Sequence, residues 1–218
     1  MRISAETLPP SPIPGFIVLE GVNGGGKTTL QRSIAEYLTK HEQSVVTTRE
    51  PGGTELGKHL RKLLQESPDL RPSPMSELFL FAADRREHVE KLIRPALKKG
   101  RWVISDRYYY SSLAFQGDGR GLDKKTVAEL MRIAIDDEQP HLVVLLDIDP
   151  AIGLARTASR SHEDAFEQEA MDFHQRIRSG FLRIADECAQ PFLVLDATRS
   201  PEAIFADVEK VLERWLKQ

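Results

Sequence analysis

Asparagine occurs once in this chain, at position 23, and cysteine once, at position 188. A single cysteine excludes an internal disulfide and agrees with a reducing, cytoplasmic setting. No apolar run approaches the ~20 residues that cross a bilayer, so no membrane association is expected. The six histidines form no H-x-x-x-H or Cys/His cluster, which argues against a structural zinc. Net charge is −3 with acids and bases interspersed, and without a basic stripe no nucleic-acid partner is expected. Residues 1–14, with Pro9, Pro10, Pro12 and Pro14, carry neither a signal-peptide core nor a helical pattern. They are expected to form a flexible extended arm without a catalytic role.

What is present is more specific. Residues 21–28 read Gly21-Val22-Asn23-Gly24-Gly25-Gly26-Lys27-Thr28, a complete G-x-x-x-x-G-K-[ST] loop. The apolar run Phe16–Leu19 precedes it, and Leu30, Ile34, Ala35 and Leu38 follow at helical spacing. Strand, loop and helix therefore come in the order a phosphate-binding loop requires. The glycines let backbone N–H groups wrap a polyphosphate, and the helix N-terminus adds partial positive charge. Lys27 is expected to reach the β- and γ-phosphates, and Thr28 to offer its hydroxyl to Mg²⁺. Gly21 through Thr29 form the expected nucleotide cradle.

Beyond this loop, β-branched runs alternate with helical patterns. Ser44–Thr48, Trp102–Ser105, Leu142–Leu146 and Phe192–Leu195 predict four further strands. Helices are predicted near 54–66, 75–98, 107–116, 123–137, 150–160, 168–189 and 201–217. In the last, Ile204, Val208, Val211, Leu212 and Trp215 mark one buried face. The pattern predicts an α/β P-loop NTPase fold in three α/β/α layers around a five-stranded parallel sheet, with residues 15–218 as a single domain.

A P-loop does not by itself separate GTPases, motor ATPases and small-molecule kinases. With Asn23 the only asparagine, the Asn-Lys-x-Asp guanine reader cannot exist. Asp118-Gly119-Arg120-Gly121 spells D-x-x-G but follows a helical pattern, not a strand. Arg49 and Asp106-Arg107 end predicted strands beside the loop, where ligands gather. Guanidinium forks there suit an acceptor phosphate, and Asp106 suits Mg²⁺ or its waters. Phe81 and Arg85, one helical turn apart, could stack and hydrogen-bond a flat base, although such aromatics are more often core. Asp149 before Pro150 reads as a helix N-cap more readily than as half of a metal-binding D-x-D.

The segments Glu20-Gly21-Val22 through Thr29, Thr48-Arg49-Glu50-Pro51-Gly52-Gly53-Thr54, Phe81-Ala82-Ala83-Asp84-Arg85, Asp106-Arg107-Tyr108 and Ala114-Phe115-Gln116-Gly117 together strongly resemble bacterial thymidylate kinases, in order and spacing, from about Gly15 to the C-terminus. The resemblance implies a homodimer that moves the γ-phosphoryl of ATP to dTMP with Mg²⁺. It implies Phe81 stacking on thymine, Arg85 at its O4, and Arg49 and Arg107 on the acceptor phosphate. Ser112 and Gln116 would lie near the base, with Phe115 under the sugar, disfavouring a 2′-hydroxyl. A helical lid at about 156–167 would close over ATP with Arg156, and Arg160 is the candidate for its catalytic arginine. The residues alone leave open another nucleoside-monophosphate acceptor, or a regulator that has lost turnover.

Two positions depart from the family pattern. Asn23 stands where many relatives carry Asp or Glu, and Ala158 and Ala165 stand where bacterial relatives are often basic. The first predicts altered tolerance of 3′-modified acceptors; the second predicts a lid dependent on Arg156 and Arg160.

Overall fold

The apolar runs are short, β-branched and flanked by turn residues, so they favour strands buried on both faces. In the computed structural model of the chain, which describes residues 2–3, 15–65, 71–158 and 165–217, they form a parallel sheet. The strands are β1 (Arg2–Ile3), β2 (Phe16–Glu20), β3 (Val45–Arg49), β4 (Trp102–Asp106), β5 (Leu142–Asp147) and β6 (Phe192–Asp196). Their spatial order is β1-β6-β5-β2-β4-β3. The five predicted strands are all present, within about a residue of their expected bounds. The two residues of β1 add a sixth at the edge, where Arg2 and Ile3 pair with Phe192 and Leu193. The remaining arm residues lie outside those described.

The helices are α1 (Lys27–Lys40), α2 (Glu55–Gln65), α3 (Pro74–His88), α4 (Arg94–Lys98), α5 (Tyr109–Ser112), α6 (Lys124–Ile135), α7 (Pro150–Thr157), α8 (Met171–Glu187) and α9 (Pro201–Leu216). Two groups of them cover the sheet, α1 with α9 and α3 with α6, α5 and α8. The predicted face of α9 is buried as expected, and Trp215 stacks on Trp102 of β4 with ring centroids 6.0 Å apart. Each such side chain contributes about 1.5–3 kcal/mol of transfer free energy.

The predicted helix over 75–98 is one rod that widens to π geometry at Val89–Ile93, just before Pro95. Proline cannot close a tight α turn against the preceding carbonyls, and the wider turn relieves that clash. The predicted helix over 107–116 differs more. Arg107 adopts φ 74° and Tyr108 is extended, so α5 starts at Tyr109 and continues as a π segment over Leu113–Gly119. The predicted helix at 150–160 ends at Thr157 with Ala158 as its C-cap, and the one at 168–189 is preceded by a 3₁₀ turn at Ala165–Gln168 and starts as α8 at Met171. Asp149 caps α7 by accepting from the Ala151 amide at 2.9 Å, while Asp147 is held by Arg178 at 2.8 and 3.0 Å. The D-x-D pair is thus a cap and an ion pair.

Register decides what meets at the carboxyl ends. Leu19 of β2 lies opposite Asp106 of β4, and Arg49 of β3 lies opposite the same Asp106 on the other side. The P-loop, Asp106 and Arg49 therefore emerge together from one edge of the sheet. Among the described residues no helix is long and apolar enough to cross a membrane.

Candidate active site

The P-loop bridges β2 and α1, and its backbone requires its glycines. Gly24 and Gly26 have φ of 78° and 91°, in the left-handed region that side chains disfavour. A Cβ on Gly24 would meet the Gly153 carbonyl oxygen at 2.0 Å, so the loop packs directly on α7. Lys27 is buried and donates to the carbonyls of Gly21 and Val22 at 3.1 and 3.0 Å. The Thr28 hydroxyl donates to Asp106 Oδ2 at 3.2 Å. Gly24, Gly26, Lys27, Thr28, Thr29 and Asp106 line one cavity, and Arg49 and Arg61 add cations to its far wall. Gly25 lies beneath, close against Leu146 and the Val22 carbonyl.

Arg107 joins this cavity to a second. Its guanidinium donates to the Gly21 carbonyl at 2.9 Å, to Ser111 Oγ at 3.1 Å and to Asn23 Oδ1 at 2.7 Å. It also lies over the Phe115 ring, 5.1 Å from the centroid. Glu20 fixes the turn that carries Arg107. Wholly buried, it accepts from the Tyr108 and Ser111 amides at 2.9 and 3.2 Å and from the Ser111 hydroxyl at 2.6 Å. Burial pushes its carboxyl up to about 7, against the opposing pull of Arg107.

The second cavity combines apolar and polar walls, and it shares Asn23, Glu50, Gln65 and Arg107 with the first. Phe81, Phe115 and Phe166 form its walls, with Phe166 centroids 6.1 and 5.5 Å from the other two rings. Arg85, Ser112 and Gln116 supply its polar groups. Arg85 is 1% exposed and held by Glu50 at 2.7 Å, Ser112 Oγ at 2.9 Å, Met131 Sδ at 2.7 Å and the Tyr108 carbonyl at 3.1 Å. A guanidinium has five N–H groups, so among the described residues these four bonds leave one uncommitted. His88 supports Glu50 from the other side, with Nδ1 2.8 Å from Oε1, and its Nε2 is 2.7 Å from Thr48 Oγ1.

These two joined cavities can be compared with known proteins. A family model for thymidylate kinase matches residues 19–208. A thymidylate kinase of Carboxydothermus hydrogenoformans is 46% identical over 198 residues, covering 91% of this chain and 96% of that protein. Thymidylate kinases of Synechococcus and Deinococcus radiodurans are 45% and 43% identical, covering 91% and 88% of this chain and 94% and 93% of those proteins. The chain belongs to the thymidylate kinase family.

Within that family frame, the residues picked from sequence fall into three groups. Lys27, Thr28, Thr29, Arg49, Asp106 and Arg107 line the first cavity; Phe81, Arg85, Ser112, Phe115 and Gln116 line the second, with Arg107 and Asn23 between them. Arg156 sits elsewhere, donating to the Ala197 carbonyl at 2.8 Å and the Gly24 carbonyl at 3.5 Å, behind the P-loop. Arg160, with Glu163 and Asp164, lies outside the described residues. Sequence reading assigned no role to Phe166 and Glu167, at the end of the lid segment, or to the buried Glu50, Glu77 and His88. Glu167 accepts from Asn23 Nδ2 at 2.9 Å. Buried charges inside the helical pattern of α3 were the available signal, since an unpaired charge is rarely buried.

Proposed function

We propose that this chain transfers the γ-phosphoryl of ATP to dTMP, giving ADP and dTDP, for dTTP synthesis. The observation that carries this reading is the junction of the two cavities at Arg107 and Asn23: a phosphate cradle on one side and a narrow slot lined by aromatic rings and polar groups on the other. In this reading ATP lies in the cradle of Gly21 to Thr29, with Lys27 on its β- and γ-phosphates. Thymine stacks on Phe81, with the free N–H of Arg85 toward O4 and Ser112 and Gln116 beside the ring. Phe115 lies under the sugar, and Arg49 and Arg107 hold the acceptor phosphate in line. An acceptor phosphate oxygen then bonds to Pγ as the bond from Pγ to the departing ADP oxygen breaks. Arg156 steadies the loop that holds ATP, and Arg160 closes on the transferring group, where charge spreads over the equatorial oxygens.

The Thr28 hydroxyl and the Asp106 carboxylate, 3.2 Å apart at the cradle rim, form a donor set that fits Mg²⁺ with phosphate oxygens and water. Bound there, the ion would neutralise developing phosphate charge. Among the described residues no group of three or more His, Cys, Asp or Glu forms an all-protein metal cage, and a Mg²⁺ carried with the nucleotide needs none.

Residues 15–218 act as one domain, with a lid at about 156–167 and a preceding arm that has no catalytic role. The enzyme is a cytoplasmic homodimer in this reading. Leu56, Met75, Phe79 and Ile133 are exposed on α2, α3 and α6, which pack side by side. The test is a coupled ADP-release assay with ATP and Mg²⁺, offering dTMP, dUMP, UMP, dCMP and GMP in parallel. Strong preference for dTMP is expected; preference for another acceptor would discard the base pocket and keep the kinase. ATP binding without turnover would instead support a regulator.

A further inference from the structure

Gln116 is 1% exposed and lines the base pocket, yet only one end of its amide is committed. Nε2 donates to Glu77 Oε1 at 2.8 Å, whereas the buried Oε1 has no partner among the described residues. The direction of that amide is dictated from behind. Glu77, on α3 and 4% exposed, accepts from Arg120 Nε at 3.3 Å and from its terminal nitrogen at 3.0 Å. Arg120 is fixed in turn by Glu169 at 2.6 Å and by the rings of Phe166 and Phe173. A carboxylate bound to a guanidinium offers acceptors only, so only the NH₂ end of the amide can face it. The reverse rotamer would bring two oxygens together in a buried site. Gln116 therefore turns its oxygen toward the pocket it lines, beside the donors of Arg85.

We infer that Glu77 is the positioning residue for base selectivity, because it locks the Gln116 amide with its acceptor toward the base. The inference rests on the dTMP reading above. Thymine places an N3–H donor next to its O4 acceptor. Cytosine inverts both, with an N3 acceptor next to an N4–H₂ donor. A pocket with one fixed acceptor beside one fixed donor matches the first edge and mismatches the second twice. If the amide could turn, one mismatch would vanish. Glu77 touches no substrate in this account; it acts through Gln116.

The experiment compares kcat/KM for dTMP and dCMP in the full-length wild type, E77Q, Q116L and the E77Q/Q116L double variant. An amide at position 77 can donate as well as accept, which frees Gln116 to turn. The dTMP-to-dCMP ratio of E77Q is expected to fall by about 10- to 100-fold. In the Q116L background the same change should leave the ratio unaltered, because no amide remains to orient. Parallel loss on both substrates, or equal effects of E77Q in both backgrounds, would overturn the inference and make Glu77 a packing residue. A wild type without dTMP preference would sink the pocket reading itself, a distinguishable failure. Should E77Q not fold, E77M removes the acceptor while filling similar space. It also frees the amide, and an unchanged ratio there would equally overturn the proposal.

Discussion

Asn23 shows what one amide does that a carboxylate cannot. It accepts from Arg107 through Oδ1 and donates to Glu167 through Nδ2, bridging the P-loop turn and the end of the lid segment. An Asp there would keep the first bond and set two carboxylates side by side in the second. N23D is therefore expected to destabilise the protein by about 1 kcal/mol, or about 2–4 °C in Tm. E167Q alone should be nearly neutral, since its amide oxygen still accepts, and combined with N23D it should restore the bond. Thermal denaturation of the four proteins checks this; additive effects would mean the contact carries no coupling. Glu20 offers a test through pH. Its folded pKa is raised from 4.5 to about 7, so the folded state binds the proton more tightly. The resulting stabilisation is complete below pH 4.5 and is lost as pH rises through 7, on the order of 3 kcal/mol in all. E20Q preserves the shape, and the Ser111 hydroxyl can reverse to accept from the new amide. Its stability relative to wild type should rise between pH 4.5 and 7; a constant difference across that window would refute the assignment.

At the scale of elements, legibility followed the kind of signal each element carries. β2, β4, β5 and β6 were readable because a strand buried on both faces must be apolar throughout, and α9 because one face alone is buried. β1 was not, since two residues have no periodicity and its ladder is supplied by the free edge of β6. Part of the π segment at Leu113–Gly119 was read as the tail of a helix, because a switch from α to π winding over two turns barely alters the helical pattern of the sequence. On α3 the aromatic and the arginine were found, but Glu77 and His88 were not, as their partners come from distant segments. The close approach of α7 to the P-loop was equally invisible and yields its own prediction. A Cβ on Gly153 would stand 2.4 Å from the Asn23 carbonyl oxygen, and backbone cannot yield as a side chain would. G153A should push the loop off its bowl, raising KM for ATP by about tenfold or more while KM for dTMP changes less. Unchanged ATP kinetics would show that α7 and the loop move apart without consequence.

For the whole molecule, the two faces of α3 would connect the proposed dimer to the proposed substrate site. Phe81 and Arg85 are buried toward the second cavity, with Glu77 behind its Gln116, while Phe79, 57% exposed, and Met75 stand on the outer surface one turn apart. Ile133 of α6, also 57% exposed, lies near Arg86 of α3, whose guanidinium reaches the Ile133 carbonyl at 3.4 Å. An apolar surface spread over neighbouring helices suits an isologous contact, in which the same patch on two copies is self-complementary. Pairing through that surface would press α3 from outside and steady the wall against which the base stacks. F79E places a charge in the middle of the patch, where a dimer would have to bury it unpaired. Light scattering should then report half the wild-type mass. KM for dTMP should rise by about three- to tenfold with KM for ATP little changed, because the P-loop is anchored on α1 and α7 instead. A monomeric wild type would remove the dimer from the account. A monomeric F79E with wild-type KM for dTMP would keep the dimer and show that α3 holds the pocket unaided.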